Sequence, residues 1–315
     1  MFLEASKDRE RQEKEKQSIR IDLEELRKKT VEKENDAILQ QLKQFETNKQ
    51  KNNSQIDDIF KLIQIDNQST NTTHFTQQQM DKTKQQLERV EQGTDEQKNT
   101  IKVKKTIKCQ QILSHIIGKK DIECRNQAFE SGVTAALINF LTTQPFQSIN
   151  QSHIWTIYEL INGEVPFLPQ IYDLKPFQVL FRLLDHPDVS IVYRAVLTMQ
   201  NLLSSAEQIT TSDSTQHPLL QDVVSCDGIN KIYSLYKKKV NDRMTNATAY
   251  NLALLLIAGD NQYAAIQNDL IAYLKSDINN TASTSKDNSI KALKFLARNE
   301  AIREEIEKDG FKIPE

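Results

Sequence analysis

The stretch DHPDVSIVYRAVLTMQNLLSS (residues 185–205) decides the fold class of this chain. Residues three and four positions apart lie on one face of an α-helix, so an apolar repeat at that spacing forms a stripe that must pack against a neighbour. Asp185 is predicted to cap the helix, with Pro187 in its first turn. The stripe consists of Val192, Ala195, Val196, Met199 and Leu202.

Helical runs of this kind return along the last two thirds of the chain, and glycines mark their ends. Gly118, Gly163 and Gly259 each follow an apolar run, where a glycine can adopt the left-handed conformation that ends a helix. With Ser205 and Asn299 as matching positions, successive ends are 45, 42, 54 and 40 residues apart. A period of roughly 40–47 residues with two or three helices per unit is typical of HEAT and armadillo repeats.

A second set of glycines is predicted to mark turns between helices. Gly132 and Gly228 each precede a new apolar run, GVTAALINFLT and GINKIYSLYKK. The distance from Gly132 to the matching Leu174 is 42 residues, and from Leu174 to Gly228 it is 54. Both series lengthen at the polar segment TTSDSTQH (210–217), which indicates an insertion there. Small residues that fit the close packing of stacked helices recur at Ala195, Ala249 and Ala292.

Composition divides the chain into a charged N-terminal arm, residues 1–51, and a repeat array, residues 52–315. The arm is predicted to be a solvated helix or disordered, or to fold on a partner; a short coiled coil is a third alternative. The array is expected to hold about five units, with a degenerate first unit and a polar insertion near residues 206–218. The predicted fold is all-α: a right-handed superhelical solenoid of the armadillo or HEAT type, with a helical or disordered arm.

Charge and cysteine content narrow the function classes. The net charge of −2 gives no electrostatic case for nucleic acid or an anionic membrane as the main partner. Cys109, Cys124 and Cys226 have no CxxC spacing, which is typical of a reducing compartment. With no secretory signal and no transmembrane segment recognised, we expect the protein in the cytoplasm and nucleus.

The sequence gives no support for catalysis. None of the five histidines has the spacing of a metal site, and no P-loop, GxSxG or GxGxxG motif is present. His115 lies inside the apolar run ILSHII, where a histidine of the core or its boundary is expected. The three cysteines occupy helical positions, where small buried residues are the default interpretation. We therefore expect no catalytic residue, metal or cofactor, and a protein that is not an enzyme.

Several segments resemble a known family. SCDGINKIYSL, FESGVTAALINFL and AVLTMQNLLSS resemble armadillo repeats, in which a glycine turn is expected to precede the last, groove-lining helix. Within that family the likeness is to importin-alpha (karyopherin alpha), since WTIYELING (155–163) resembles its W-A-L-x-N-I-A-S-G run and Asn201 matches a groove asparagine. SIRIDLEELRKK (18–29) resembles its importin-beta-binding arm, whose core corresponds to Glu25, Leu26, Arg27 and Lys28.

The resemblance implies a groove in which tryptophan faces hold Lys and Arg stems and asparagine amides bond the peptide backbone. This chain departs from that pattern, because the slot paired with Trp155 holds Glu159 and the tryptophan slot before Asn201 holds Leu197. In the next repeat, leucines at 252 and 256 fill both slots. The candidate groove residues are Trp155, Glu159, Asn162, Arg194, Leu197 and Asn201.

The resemblance therefore implies an adaptor that holds the nuclear localisation signals of cargo proteins in its groove for nuclear import. Importin-beta would bind its arm. The alternative is an armadillo-repeat scaffold for protein–protein interaction with no transport role. Because Glu159 replaces a neutral amide beside the only tryptophan, the groove is predicted to favour a cationic side chain at this position.

Overall fold

The structure is a computed structural model that describes residues 75–116, 122–162, 167–209, 217–257, 261–279 and 285–314. All of these residues lie in one compact unit, residues 74–315. Within the described ranges the chain forms fourteen α-helices, two short 3-10 helices and no strand, which confirms the all-α fold class. The predicted arm, the boundary at residues 51 and 52, and three helix-ending glycines lie outside these ranges: Gly118, Gly163 and Gly259.

The helices follow one another as repeated units of a first, a second and a last helix. The first unit is described by its second and last helices, α1 (Gln77–Glu88) and α2 (Asp95–Ile116). The next unit consists of α3 (Ile122–Glu130), α4 (Val133–Thr143) and α5 (Gln151–Ile161). The third consists of α6 (Leu168–Asp173), α7 (Pro176–Leu183) and α8 (Val189–Ile209). The fourth consists of α9 (Leu220–Ser225), α10 (Gly228–Lys238) and α11 (Asp242–Leu255), and the fifth ends in α12 (Ala264–Asn279) and α13 (Lys286–Leu296), before α14 (Glu300–Glu307).

The last helices stack in sequence order. Helix α2 contacts α5, α5 contacts α8, α8 contacts α11, and α11 contacts α13. Close stacking requires small residues, and Ala195 of α8, Ala249 of α11 and Ala292 of α13 are each 0% exposed, as predicted. A unit of this kind cannot bury its own apolar face and depends on its neighbours, which is the organisation of a solenoid.

The glycine turns connect the first and second helices, so the expectation that they precede the last helix was wrong. Gly132 has φ +80° and lies between α3 and α4. In the matching turn the left-handed residue is Asp227, with φ +55°, and Gly228 begins α10. A Cβ on Gly228 would lie 2.2 Å from Cζ of Phe181, so close packing rather than backbone conformation requires glycine there.

The last helices begin instead at side chains that cap them. The side-chain oxygens of Asn150, Asp188 and Asn241 accept hydrogen bonds from amides two or three residues later, at 3.1, 2.8 and 2.9 Å. The predicted cap Asp185 lies in the turn before α8, and Pro187 precedes the helix rather than lying in its first turn. The starts of α5, α8 and α11 are thus set by acceptor side chains and not by glycine.

Candidate peptide-binding surface on the last helices

The six predicted groove residues form two parallel rows. Trp155, Glu159 and Asn162 lie on or at the end of α5, and Arg194, Leu197 and Asn201 lie on α8. The rows touch at both ends: the Arg194 guanidinium lies over the Trp155 ring, and Asn201 Nδ2 donates to Asn162 Oδ1 at 3.4 Å. Both pairs are 39 residues apart, so one offset relates α5 and α8 along the length of their contact.

The protein's own Arg194 covers the aromatic face that the resemblance assigns to a peptide lysine or arginine. Its guanidinium carbon is 4.5 Å from the centroid of the Trp155 ring and 4.8 Å from that of Tyr158. Trp155 Nε1 donates to Glu159 Oε1 at 3.0 Å, and Glu159 is only 8% exposed. The carboxylate therefore orients the indole and is not free at the groove rim.

A pocket of about 530 Å³ opens beside this stack, where α5, α8 and α11 begin. Helix α8 contributes an exposed apolar side chain, Val189, which is 48% exposed. The walls carry the guanidinium groups of Arg194 and Arg243 and the carboxylate of Asp242, and the carboxylates of Asp188 and Glu159 lie beside them with oxygens bonded within the protein. The side chains that matter below are Gln151, Trp155, Val189, Tyr193, Arg194, Asp242 and Arg243.

Asp188, next to the pocket, is bound by its own neighbours. Its carboxylate accepts from Ser190 N at 2.8 Å and from Gln151 Nε2 at 3.3 Å, which ties α8 to the start of α5. Partial burial opposes ionisation of Asp188, but these hydrogen bonds outweigh it and hold its pKa below the usual value. Asp188 is therefore anionic at neutral pH, and its oxygens are used within the protein.

The leucines in the groove slots pack into the protein. Leu197 is half-buried against a small apolar cluster formed by Val192, Val196, Leu235, Met244 and Ala247. Leu252 and Leu256, in the corresponding slots of the next repeat, are 0% and 2% exposed. The tryptophan and asparagine ladder that the resemblance implies is therefore replaced by packed leucines at these positions.

The arm residues Glu25, Leu26, Arg27 and Lys28 lie outside the described residues. Among the residues that are described, no group of three or more His, Cys, Asp or Glu side chains could hold a metal ion. No described helix is long and apolar enough to span a membrane.

Of the cysteines, Cys109 and Cys124 are buried and Cys226 is half-buried, in keeping with packing roles. Burial raises the pKa of the Cys109 thiol to about 12, so this thiol is unreactive at neutral pH.

Sequence reasoning missed three contributors to this surface. Tyr158 forms the second wall of the Arg194 stack, Tyr193 lines the pocket, and Arg243 reaches it from the start of α11. A cation one unit away from the only tryptophan was visible in the sequence, but the offset of 39 residues that brings them together required the register of the helices. Arg243 could be placed only once Asn241 was known to cap the start of α11.

Comparison with known proteins supports the fold. No protein-family model and no curated protein matches the sequence. A designed armadillo repeat protein, solved in complex with the peptide (KR)4, aligns with 73% of this chain and 87% of its own, at a TM-score of 0.52 and 16% identity. An engineered protein of the Northeast Structural Genomics Consortium aligns over the same shares at a TM-score of 0.52 and 14% identity. At these identities the likeness concerns the fold alone, and the chain is an all-α solenoid of the armadillo type.

Proposed function

We propose that this chain is a non-enzymatic armadillo scaffold that binds an extended segment of a partner protein across α5, α8 and α11. The observation that carries the proposal is the pocket of about 530 Å³ beside Trp155. Concave sites that combine aromatic walls with a few oriented polar groups are the usual places where proteins bind ligands. This pocket has such walls in Trp155 and Tyr193, and polar groups in Gln151 and Arg194.

The stacking of the last helices supports an extended occupant. Helices α5, α8 and α11 pack in sequence order and all three line the pocket, so an extended segment lying across them would meet each helix in turn. In an extended peptide alternate side chains point to the same side, so several of them can face the helices. The designed neighbour described above is in complex with a peptide, which agrees with this use of the fold.

Selection of random dodecapeptides on the full chain tests the proposal, with titration calorimetry of the enriched sequences. Val189→Phe fills the pocket from an exposed position and is expected to weaken binding at least tenfold. Val224→Phe is the matched control, because Val224 is 39% exposed on α9 and does not line the pocket. No enrichment, or equal losses for the two variants, would contradict a peptide-binding role for this pocket.

The transport adaptor implied by the resemblance to importin-alpha is a finer proposal. It places the protein in the cytoplasm and nucleus and gives the arm to importin-beta. Its support is the sequence of residues 18–29, and the stacking of Arg194 on Trp155 weighs against a basic signal at that ring. The prediction that Glu159 selects a cationic side chain also stays a prediction, although Glu159 is nearly buried and bonded to the indole.

Calorimetry with importin-beta separates the two functions. The full chain is compared with a variant in which Glu25, Leu26, Arg27 and Lys28 are all replaced by alanine. Salt-sensitive binding that the variant loses would support the adaptor, because charge complementarity makes such binding depend on ionic strength. Absence of binding in both would leave the scaffold without a transport role.

A further inference from the structure

From the stacking of Arg194 we infer that the pocket beside Trp155 recognises an anionic side chain of the bound segment, a carboxylate or a phosphate. This inference rests on the proposed peptide-binding function and gives it a substrate class. It reverses the cationic preference that the sequence led us to expect from Glu159.

The guanidinium of Arg194 is held against two aromatic rings. Its carbon is 4.5 Å from the Trp155 centroid and 4.8 Å from the Tyr158 centroid, so two rings on α5 contact it. Stacking of this kind leaves the N–H donors at the edge of the guanidinium available. In the described part of the chain no carboxylate or carbonyl accepts from this guanidinium, although its own backbone oxygen accepts from Thr198 at 2.7 Å.

Arg194 is also oriented before any ligand binds. The Glu159 carboxylate fixes the indole through its N–H at 3.0 Å, and the indole in turn positions the guanidinium. A donor fork held in one orientation loses less conformational freedom on binding and matches the two oxygens of a carboxylate or a phosphate.

The charged groups around the pocket differ in whether their polar atoms are still available to a ligand. Arg243 at the start of α11 is exposed, and no described acidic side chain pairs with it. Of the nearby carboxylates, Asp242 lies in the pocket wall, whereas Asp188 is bonded to Ser190 and Gln151 and Glu159 is bonded to the indole of Trp155. A cationic ligand side chain would thus meet two guanidinium groups, whereas an anionic one would pair with them.

Four octapeptides that differ only in charge test the inference on the full chain: (Glu-Thr)4, (phosphoSer-Thr)4, (Gln-Thr)4 and (Lys-Thr)4. Affinity is measured by calorimetry, and the emission of Trp155 reports on the pocket because it is the only tryptophan. We expect the glutamate or the phosphoserine peptide to bind roughly tenfold tighter than the glutamine peptide and to shift Trp155 emission. The ratio between the first two peptides distinguishes an acidic motif from a phosphorylated one.

Arg194→Gln is expected to remove most of that preference. Arg298→Gln is the matched control, since this arginine lies 4.6 Å from the centroid of Phe295 and outside the pocket, and it should leave the preference unchanged. A lysine peptide that binds as tightly as the glutamate peptide, or equal binding of all four, would overturn the inference while leaving a peptide-binding pocket. Failure of all four peptides to bind would also overturn it, whereas the scaffold role is decided by the random-peptide selection and Val189→Phe.

Discussion

Two regions of this solenoid place a cation over an aromatic ring in different surroundings. In the first, Lys105 Nζ of α2 lies 4.6 Å from the centroid of Phe140, is 1% exposed, and is 3.5 Å from Glu91 Oε1. In the second, Arg194 lies 4.5 Å from the centroid of Trp155, is half-buried, and has no carboxylate partner among the described residues. We call the first region closed, because its cation is buried and paired with a carboxylate, and the second region open, because its cation is partly exposed and lacks such a partner.

The closed region is a structural joint between the first two units. Burial lowers the pKa of Lys105, and the charge and hydrogen bond of Glu91 act against that shift. Glu91 also accepts from Ser148 at 3.3 Å, and Lys102 lies 3.8 Å from it, so the carboxylate joins α2 to the segment before α5. A buried charge needs such a partner, whereas the half-exposed guanidinium of Arg194 does not.

A third pair is intermediate. Arg182 of α7 lies 4.5 Å from the centroid of Phe146 and donates to the carbonyl oxygens of Leu141 and Gln144, at 2.7 and 2.6 Å. These carbonyls are at the end of α4, where they lack helical partners. The comparison teaches that stacking alone does not define a role: the partners of the remaining donors decide whether the cation holds units together or is available to a ligand.

The largest loss of stability is expected in the closed region, at the pair of Lys105 and Glu91. Glu91→Ala leaves Lys105 buried without its carboxylate and should lower the free energy of unfolding by about 3 kcal/mol. Chemical denaturation at pH 7 measures this loss. Glu88→Ala, at an exposed position on α1, is the control and should change stability by less than about 0.5 kcal/mol. Similar values for the two variants would remove the distinction between the regions.

The second effect depends on pH and comes from His153, also in the closed region. His153 is 0% exposed; its burial, with a smaller contribution from the charge of Lys105, lowers its pKa to about 3. The unfolded chain binds this proton near the ordinary value of about 6.5, so stability is full above that pH and falls as the pH decreases toward 3. Between pH 6.5 and 5 this amounts to about 2 kcal/mol.

His153→Gln isolates that contribution. Glutamine keeps an acceptor for the Asn150 amide, which now bonds His153 Nδ1 at 3.0 Å, but it does not titrate. Unfolding free energies measured from pH 7.5 to 5 should therefore fall more steeply for the natural chain than for the variant. Parallel curves would show that His153 is protonated in the folded protein as readily as in the unfolded one.

The third effect is expected at the intermediate pair. Arg182→Gln removes charge-assisted hydrogen bonds to the end of α4 and should cost about 1.5 kcal/mol. Denaturant midpoints of this variant, compared with those of Arg298→Gln, give the value. A loss as small as that of the control would mean that water satisfies the α4 carbonyls equally well.

The smallest effect on stability is expected at the open pair. Arg194→Gln removes a half-exposed stacking contact and should cost less than about 1 kcal/mol. The same variant should remove most of the anionic preference of the pocket. Arg194→Gln is therefore expected to affect binding more than stability, whereas Glu91→Ala is expected to affect mainly stability. A thermal melt alongside the peptide titration measures both, and a large destabilisation by Arg194→Gln would place Arg194 with the structural cations.

The sequence alone was sufficient to predict the repeated helical units. The spacing of apolar residues predicted stacked helices because each amphipathic run needs a neighbour, and the small residues Ala195, Ala249 and Ala292 are buried as expected. The segments around Gly132 and Gly228 did mark turns. Their place inside the unit was predicted wrongly. A turn glycine indicates that a new helix follows, but it does not indicate whether that helix is the second or the last of its unit.

For the six predicted groove residues, too, the sequence predicted the helix faces but not all of their contacts. Helical periodicity placed Trp155 and Asn162 on one helix face and Arg194 and Asn201 on another, and the structure brings these faces together. The contacts of Arg194 and Asn201 with α5 could not be predicted, because they depend on how α8 is aligned with α5. Glu159 differs, because it bonds the indole of Trp155 four residues earlier on the same helix, a local contact that the predicted cationic preference left out.

The sequence by itself determined that this protein is an all-α array of helical units, because amphipathic periodicity and turn residues are local properties of the chain. The tertiary structure alone decided which cations are closed and which is open. Lys105 and Arg194 both lie on last helices, and only tertiary packing gives Lys105 the carboxylate of Glu91 and the ring of Phe140, and Arg194 two aromatic rings and an open pocket. Burial and long-range contact set that difference, and neither is encoded within a single helix.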